Sequence, residues 1–147
     1  MKVRNNKIKK YKWRIRMKTI EVVAAIIKDK EKILITRRGS GEFIDMWEFP
    51  GGKVEQGETR EEALIREIQE ELELKIDDLD YLTTVEYNYP NFHLTMHCYM
   101  CCIVSGKLNL NVHNSAKWIT INELDKQEWV PADINVVRAI KSKFGHI

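Results

Sequence analysis

Three carboxylates, Glu67, Glu70 and Glu71, fall within five consecutive positions of the 147-residue chain, with Arg66 directly before them. Such a group has two readings. Like charges at i and i+4 of a helix repel by about 0.2–0.5 kcal/mol, and most charge runs amount to a solvated face. Clustered oxygen donors also suit a hard divalent cation such as Mg2+ or Mn2+, which in turn holds phosphate oxygens. At 100° per residue counted from Leu64, the apolar Leu64, Ile68, Leu72 and Ile65 span about 0° to 100°, while Glu70, Glu67 and Glu71 span about 240° to 340°. Arg66 falls at about 200°, next to Glu70. One helix face is therefore predicted to pack on a sheet and its neighbour to present the carboxylates.

The flanking residues decide between the two readings. Gly52-Lys53-Val54-Glu55-Gln56-Gly57-Glu58, then seven residues, then Arg66-Glu67-Ile68-Gln69-Glu70-Glu71-Leu72-Glu73-Leu74 resembles the Nudix signature. That signature runs Gly, five residues, Glu, seven residues, Arg-Glu, an aliphatic, any residue, Glu-Glu, any residue, Gly, an aliphatic. Every specified position matches except the second Gly, replaced by Glu73 just past the helix, where Gly usually supplies a cap with φ > 0. Residues 20–38, 47–74 and 129–140 extend the likeness to the MutT and CTP pyrophosphohydrolase branch of the family.

This resemblance implies an α/β fold of the Nudix α/β/α sandwich type, with a mixed β-sheet and a catalytic loop-helix-loop. Glu67, Glu70 and Glu71, with the Gly51 carbonyl, would bind Mg2+ or Mn2+. Glu58 would sit beside the metal, and Arg66 would orient Glu67 by an ion pair. The cation would neutralise phosphate charge and activate a water, which attacks the β-phosphorus of a nucleoside triphosphate and releases a monophosphate and pyrophosphate. Arg38 would hold phosphate oxygens; without the resemblance it reads equally as a surface charge after a strand. Phe49, Tyr89 and Phe92 would line the base slot, though each equally suits a core.

Asp133 matches the family position that reads the base. An ionised Asp only accepts hydrogen bonds, which suits the N1–H and N2–H2 of guanine or 8-oxoguanine better than cytosine. Likeness over residues 20–27 and 131–134 points equally to CTP or 5-methyl-dCTP. Two further functions stay open. One is an ADP-ribose or dinucleotide pyrophosphatase, for which Pro90, sixteen residues past Leu74, is a cue. The other is a catalytically silent nucleotide-binding module, against which the intact Arg66, Glu67, Glu70 and Glu71 argue.

Many relatives carry a glutamate in the loop before the tryptophan corresponding to Trp118, but residues 112–117 contain no acid. Glu67 is then a candidate base, or the metal alone lowers the water's pKa enough. His113 is a further candidate, although a lone loop histidine reads first as solvated. His93 and His97, four apart on a strand, would stand about 13 Å apart and cannot share a metal.

The elements that must position these groups are legible as well. Residues 20–27 form an apolar, β-branched run that reads as a buried strand, and residues 33–36 as its return. Residues 39–46 read as a loop, and Pro50-Gly51-Gly52 as a forced change of direction. Thr59-Arg60-Glu61-Glu62 is a capping box that starts a helix ending near Leu72. Residues 81–89 and 94–104 read as strands around Pro90-Asn91, with a short strand near Trp118. Pro131 suits the first turn of a last helix that presents Ile134, Val137 and Ile140.

Residues 1–16 carry eight Lys and Arg and no acid, so residues 17–147 hold 16 basic against 22 acidic residues, a net charge of −6. A basic N-terminal extension, expected to be poorly ordered, therefore precedes a domain at 17–147. The extension is the part suited to nucleic acid, and it lacks the apolar stretch of a secretory signal. The longest apolar run, 22–27, is far short of the roughly 18 residues of a membrane span, so no membrane partner is expected. The three cysteines, all within residues 98–102, make no disulfide framework, and the chain reads as intracellular and cytoplasmic. Cys98 and Cys101 have a C-x-x-C spacing, but on a strand such positions face opposite sides, and buried thiols are expected.

Overall fold

The structure is a computed structural model and describes residues 17–145; the basic extension at 1–16 lies outside them. Strand β1 (Lys18–Asp29) is the hub of the sheet. It turns at Lys30 into β2 (Lys32–Arg38), with Lys28 opposite Ile33. Two short strands follow, β3 (Trp47–Glu48) and β4 (Gly51–Lys53). After helix α1 (Arg60–Leu72) come β5 (Leu74–Tyr89), β6 (Phe92–Gly106) and β7 (His113–Thr120). A 3-10 turn, Ile121–Lys126, and helix α2 (Asp133–Phe144) complete the domain. Strand β1 pairs parallel with β6 and antiparallel with β4, β5 pairs antiparallel with β6, and β2 pairs with β3 and β7. The sheet is mixed, as expected.

Alternation along β1 separates two cores, because successive side chains on a strand point to opposite faces. Val23, Ala25 and Ile27 pack with Leu64, Ile68 and Leu72 of α1. Ala24 and Ile26 pack with Val136, Val137 and Ile140 of α2. One helix thus lies on each face, giving the α/β/α sandwich. Cys98 joins the second core and Cys101 the first, so the C-x-x-C thiols do point apart. Both are buried as expected, whereas Cys102 is exposed, as is Val104 near the end of β6.

Three other expectations need correction. Ile65 is 40% exposed, and Ala63 takes its place in the buried stripe of α1. Ile134 is 42% exposed. The buried stripe of α2 is Asp133, Val136, Val137 and Ile140, an i, i+3, i+4, i+7 pattern that begins on a carboxylate. Strand β5 starts at Leu74, seven residues before the expected 81. Its early part is hidden in sequence because register shifts between Asp77 and Asp80 break the alternation.

Both ends of α1 are tied down. Thr59 caps the first turn, its Oγ1 accepting from Glu62 N–H at 3.1 Å while Glu62 returns a bond to Thr59 N–H. At the other end, Glu73 adopts a left-handed conformation (φ 58°, ψ 34°), and its N–H reaches Gln69 O at 3.1 Å. Glu73 therefore carries out the turn that the missing glycine would make, and its carboxylate accepts from Asn109 Nδ2. The connector between β6 and β7 takes up the remaining carbonyls. Asn109 N–H binds Leu72 O and Asn111 N–H binds Glu71 O, both at 3.0 Å, while Asn111 Nδ2 binds Glu70 O at 2.7 Å. Left-handed backbone costs a residue with a Cβ about 1–2 kcal/mol, more than one exposed polar bond returns. Glu73→Gly is accordingly expected to stabilise the fold by about 0.5–1 kcal/mol, seen as a higher urea midpoint at unchanged slope.

Candidate active site

Arg66 organises the polar face of α1. A guanidinium carries five N–H donors in a rigid fork, and all five are engaged here. Nε and one terminal nitrogen grip both oxygens of Glu58 at 2.7 and 2.9 Å. The other terminal nitrogen reaches Glu67 at 2.9 Å and Glu70 at 3.3 Å, and the fifth bond goes to Lys53 O at 3.0 Å. The Arg66 fork holds the Glu58 carboxyl down at about 2, helped by a bond from Glu55 N–H. Arg66 itself is held well above the ordinary arginine range, Glu58 again being the main cause. The expected Arg66–Glu67 ion pair is present, and Glu58 is its brace.

Gly51 and Gly52 set how closely this network approaches the sheet. A Cβ on Gly51 would stand 1.9 Å from Val23 O, so glycine is what lets β4 lie against β1. A Cβ on Gly52 would stand 2.3 Å from the Glu67 carboxyl carbon, so Gly52 leaves the space that the carboxylate fills. Beside them opens a cavity of about 550 Å³, with Gly51 and Glu71 at its wall. Arg38, Phe49, Tyr89, Phe92 and Asp133 line the same cavity.

Glu71 differs from its two partners. Burial first, then the charges of Glu67 and Glu48, push its carboxyl up to about 8. Its Oε2 is buried and has no hydrogen-bond partner, which costs about 1–3 kcal/mol in a folded protein. A buried oxygen without a partner, flanked by further carboxylates, is the kind of donor that a divalent cation takes. The residues present fit such an ion in that respect. Glu67 and Glu70 are drawn to Arg66, and among the described residues no three His, Cys, Asp or Glu side chains already form a ligating group.

The cavity also has an aromatic lining, which includes Phe49, Tyr89 and Phe92. Phe49 stacks on Trp129 with centroids 4.8 Å apart, and Tyr89 stacks on Phe92 at 5.1 Å. The Tyr89 hydroxyl accepts from Ala132 N–H at 3.1 Å, tying that wall to the start of α2. Asp133 is 5% exposed, and its Oδ2 accepts from Phe49 N–H at 2.9 Å. Burial pushes its carboxyl up to about 8, opposed by the Phe49 N–H. The ionised Asp133 expected from the sequence is therefore corrected: near neutral pH the group is mainly protonated, because it opens the buried stripe of α2.

Sequence reasoning passed over Glu48 and treated His113 as solvated. His113 is only 8% exposed and sits in β7, its Nε2 bonded to Glu48 Oε2 at 3.1 Å. Glu48 Oε1 accepts from Arg38 at 3.1 Å, and Arg38 Nε donates to Glu42 O at 2.9 Å. Glu48 and His113 both line the cavity. Glu48 stands directly before Phe49, and that adjacency was the available signal. Among the described residues, the other two histidines are engaged elsewhere, His97 with Glu21 and Thr84, His93 with Glu86 and Asn88.

Residues 17–140 match the family model described as NUDIX domain. The chain is 34% identical to a CTP pyrophosphohydrolase of Escherichia coli strain K12, over 84% of this chain and 92% of that relative. It is 30% identical to an 8-oxo-dGTP diphosphatase of the same organism, over 85% and 98%. The solution structure of a DNA mismatch repair protein MutT from methicillin-resistant Staphylococcus aureus 252 is similar with a TM-score of 0.69 and 42% identity, over 86% and 98%.

Two outcomes follow from this geometry. Lysine keeps the charge of Arg66 but lacks the fork. Arg66→Lys is expected to lose about 1–3 kcal/mol of stability and at least about tenfold in activity, both measurable on the purified variant. Asp133 binds its proton more tightly folded, at about 8, than unfolded, near 3.9. Its contribution to stability is complete below about pH 4 and is lost as pH rises through about 8. Urea-derived stability should therefore fall between pH 5 and pH 8 by more in the wild type than in Asp133→Asn.

Proposed function

The chain belongs to the Nudix family of hydrolases, and from that membership we propose that it cleaves a nucleoside triphosphate to the monophosphate and pyrophosphate. The proposed substrates are a modified or oxidised nucleotide such as 8-oxo-dGTP, or CTP and 5-methyl-dCTP, removed from the nucleotide pool. The observation that carries this reading is one cavity lined both by Glu71, with its partnerless, buried oxygen, and by Phe49, Tyr89, Phe92 and Asp133. A nucleotide calls for both, a cation-binding group for its phosphates and a flat apolar wall for its base.

Mg2+ or Mn2+, held by Glu67, Glu70, Glu71 and the Gly51 carbonyl, would neutralise phosphate charge and lower the pKa of a water. Glu58 and Arg66 fix Glu67, the proposed base. Arg38 donates to phosphate oxygens, and Phe49, Tyr89 and Phe92 flank the base. A neutral Asp133 offers one donor and one acceptor. That pair suits O6 and N7–H of 8-oxoguanine, and equally N3 and the amino group of cytosine.

Steady-state kinetics on 8-oxo-dGTP, dGTP, CTP, 5-methyl-dCTP and ADP-ribose, each with Mg2+ and with Mn2+, test the proposal. Pyrophosphate release from at least one triphosphate is expected to exceed ADP-ribose cleavage, and Glu70→Gln to lower it by about a hundredfold or more. Rapid AMP release from ADP-ribose with the triphosphates idle would overturn the substrate class. Unchanged metal-dependent turnover in Glu70→Gln would overturn the metal assignment.

A further inference from the structure

His113 is a buried polar side chain that the reading above does not use. Its place is set by the backbone. The pairing of β2 with β7 runs in register from Lys32–Thr120 to Arg37–Ser115, then shifts so that Arg38 faces His113 and Asn114 is passed over. A β-bulge of this kind re-aims a side chain. Gly39 follows at once, where a Cβ would stand 2.6 Å from Val112 O, so the two strands meet there at a distance that a larger residue would open. Asn114, left outside the ladder, binds Arg37 and Asp45 instead.

The bulge places Arg38 and His113 on the two oxygens of one carboxylate. Glu48 Oε1 accepts from Arg38 and Oε2 from His113, each at 3.1 Å, and the Glu48 side chain is 18% exposed. Because a carboxylate only accepts, His113 donates from Nε2. Nδ1 is buried and partnerless. A histidine there for packing alone would leave that nitrogen unsatisfied at a cost an apolar side chain avoids; the bond to Glu48 is what the ring contributes. Arg38 needs it, being 36% exposed, with its Nε held by a carbonyl of the exposed residue Glu42.

We propose that His113 is a positioning residue for substrate binding: it fixes the Glu48 carboxylate, which fixes the Arg38 guanidinium in the cavity, and its effect passes through Arg38. This rests on the reading of Arg38 as a phosphate contact. A group that only pre-orients a binding side chain changes ground-state affinity more than the chemical step.

The experiment compares wild type, His113→Leu, His113→Gln, Arg38→Ala and the Arg38→Ala/His113→Leu double variant, with Mg2+ and whichever of CTP and 8-oxo-dGTP is the better substrate. Leu fills the volume without the N–H, and Gln restores an N–H of similar reach. His113→Leu is expected to raise KM by about five- to tenfold with kcat within about twofold. His113→Gln should return KM to within about threefold of wild type. In the Arg38→Ala background, His113→Leu should add less than about twofold, the non-additivity of groups acting as one unit. Thermal midpoints check that each variant is folded, and His113→Met replaces the Leu variant should that not fold. If Arg38→Ala leaves KM unchanged, the phosphate role of Arg38 fails and the proposal with it. If Arg38→Ala raises KM but His113→Leu does not, or acts equally in both backgrounds, the His113 proposal alone is overturned.

Discussion

A single guanidinium among carboxylates is the interaction on which the rest of this structure depends. Glu55, Glu58, Glu67 and Glu70 all lie within 4 Å of Arg66. Without a cation among them, the polar face of α1 would be a line of mutual repulsion. With one, the repulsion becomes directional: every donor of the fork is spoken for, and each acceptor is drawn to one place. The 13-residue helix can then sit with its apolar stripe on the sheet and its acidic face at the edge of the cavity. Glu71, the carboxylate left out of this arrangement, is the one whose charge remains expensive.

The sheet solves a second problem, that of distance. The cavity draws its wall from chain positions as far apart as Val22 and Asp133, and their approach depends on backbone rather than side-chain packing. Two glycines bring β4 against β1 and leave room for Glu67. A hydrogen bond from Phe49 N–H to Asp133 and another from Ala132 N–H to Tyr89 close the aromatic lining onto α2. Buried polar groups with such partners hold the slot more strictly than apolar contact does, because misplacing them leaves donors unsatisfied.

What could be read from the sequence divides along the same line. The helix with its capping box, the spacing of Glu58, Arg66, Glu67, Glu70 and Glu71, and the apolar, β-branched run of β1 are local patterns, and local patterns survive into the fold. The exposure of Ile65 and Ile134 was missed because a stripe about 100° wide has edges that only the packed partner decides. Asp133 was read as ionised because its burial is a property of α2 against the sheet. Glu48 was passed over, and His113 was read first as solvated, for a stronger reason. Their meeting spans 65 positions and depends on a bulge between Arg37 and Arg38, and a one-residue slip in register reverses which side chains face inward. No periodicity within either strand reports it.

The connector at 107–112 serves two masters. Asn109 and Asn111 hold the terminal carbonyls of α1, and two residues later the same stretch delivers His113 to Glu48. The acidic helix and the arginine clamp are thus joined by a tether whose length is set at both ends. An insertion there would have to release one anchor to keep the other. Unlike an ordinary surface loop, which tolerates changes in length, this segment is a poor site for an engineered fusion and a place where drift in length would be felt by both halves of the cavity at once.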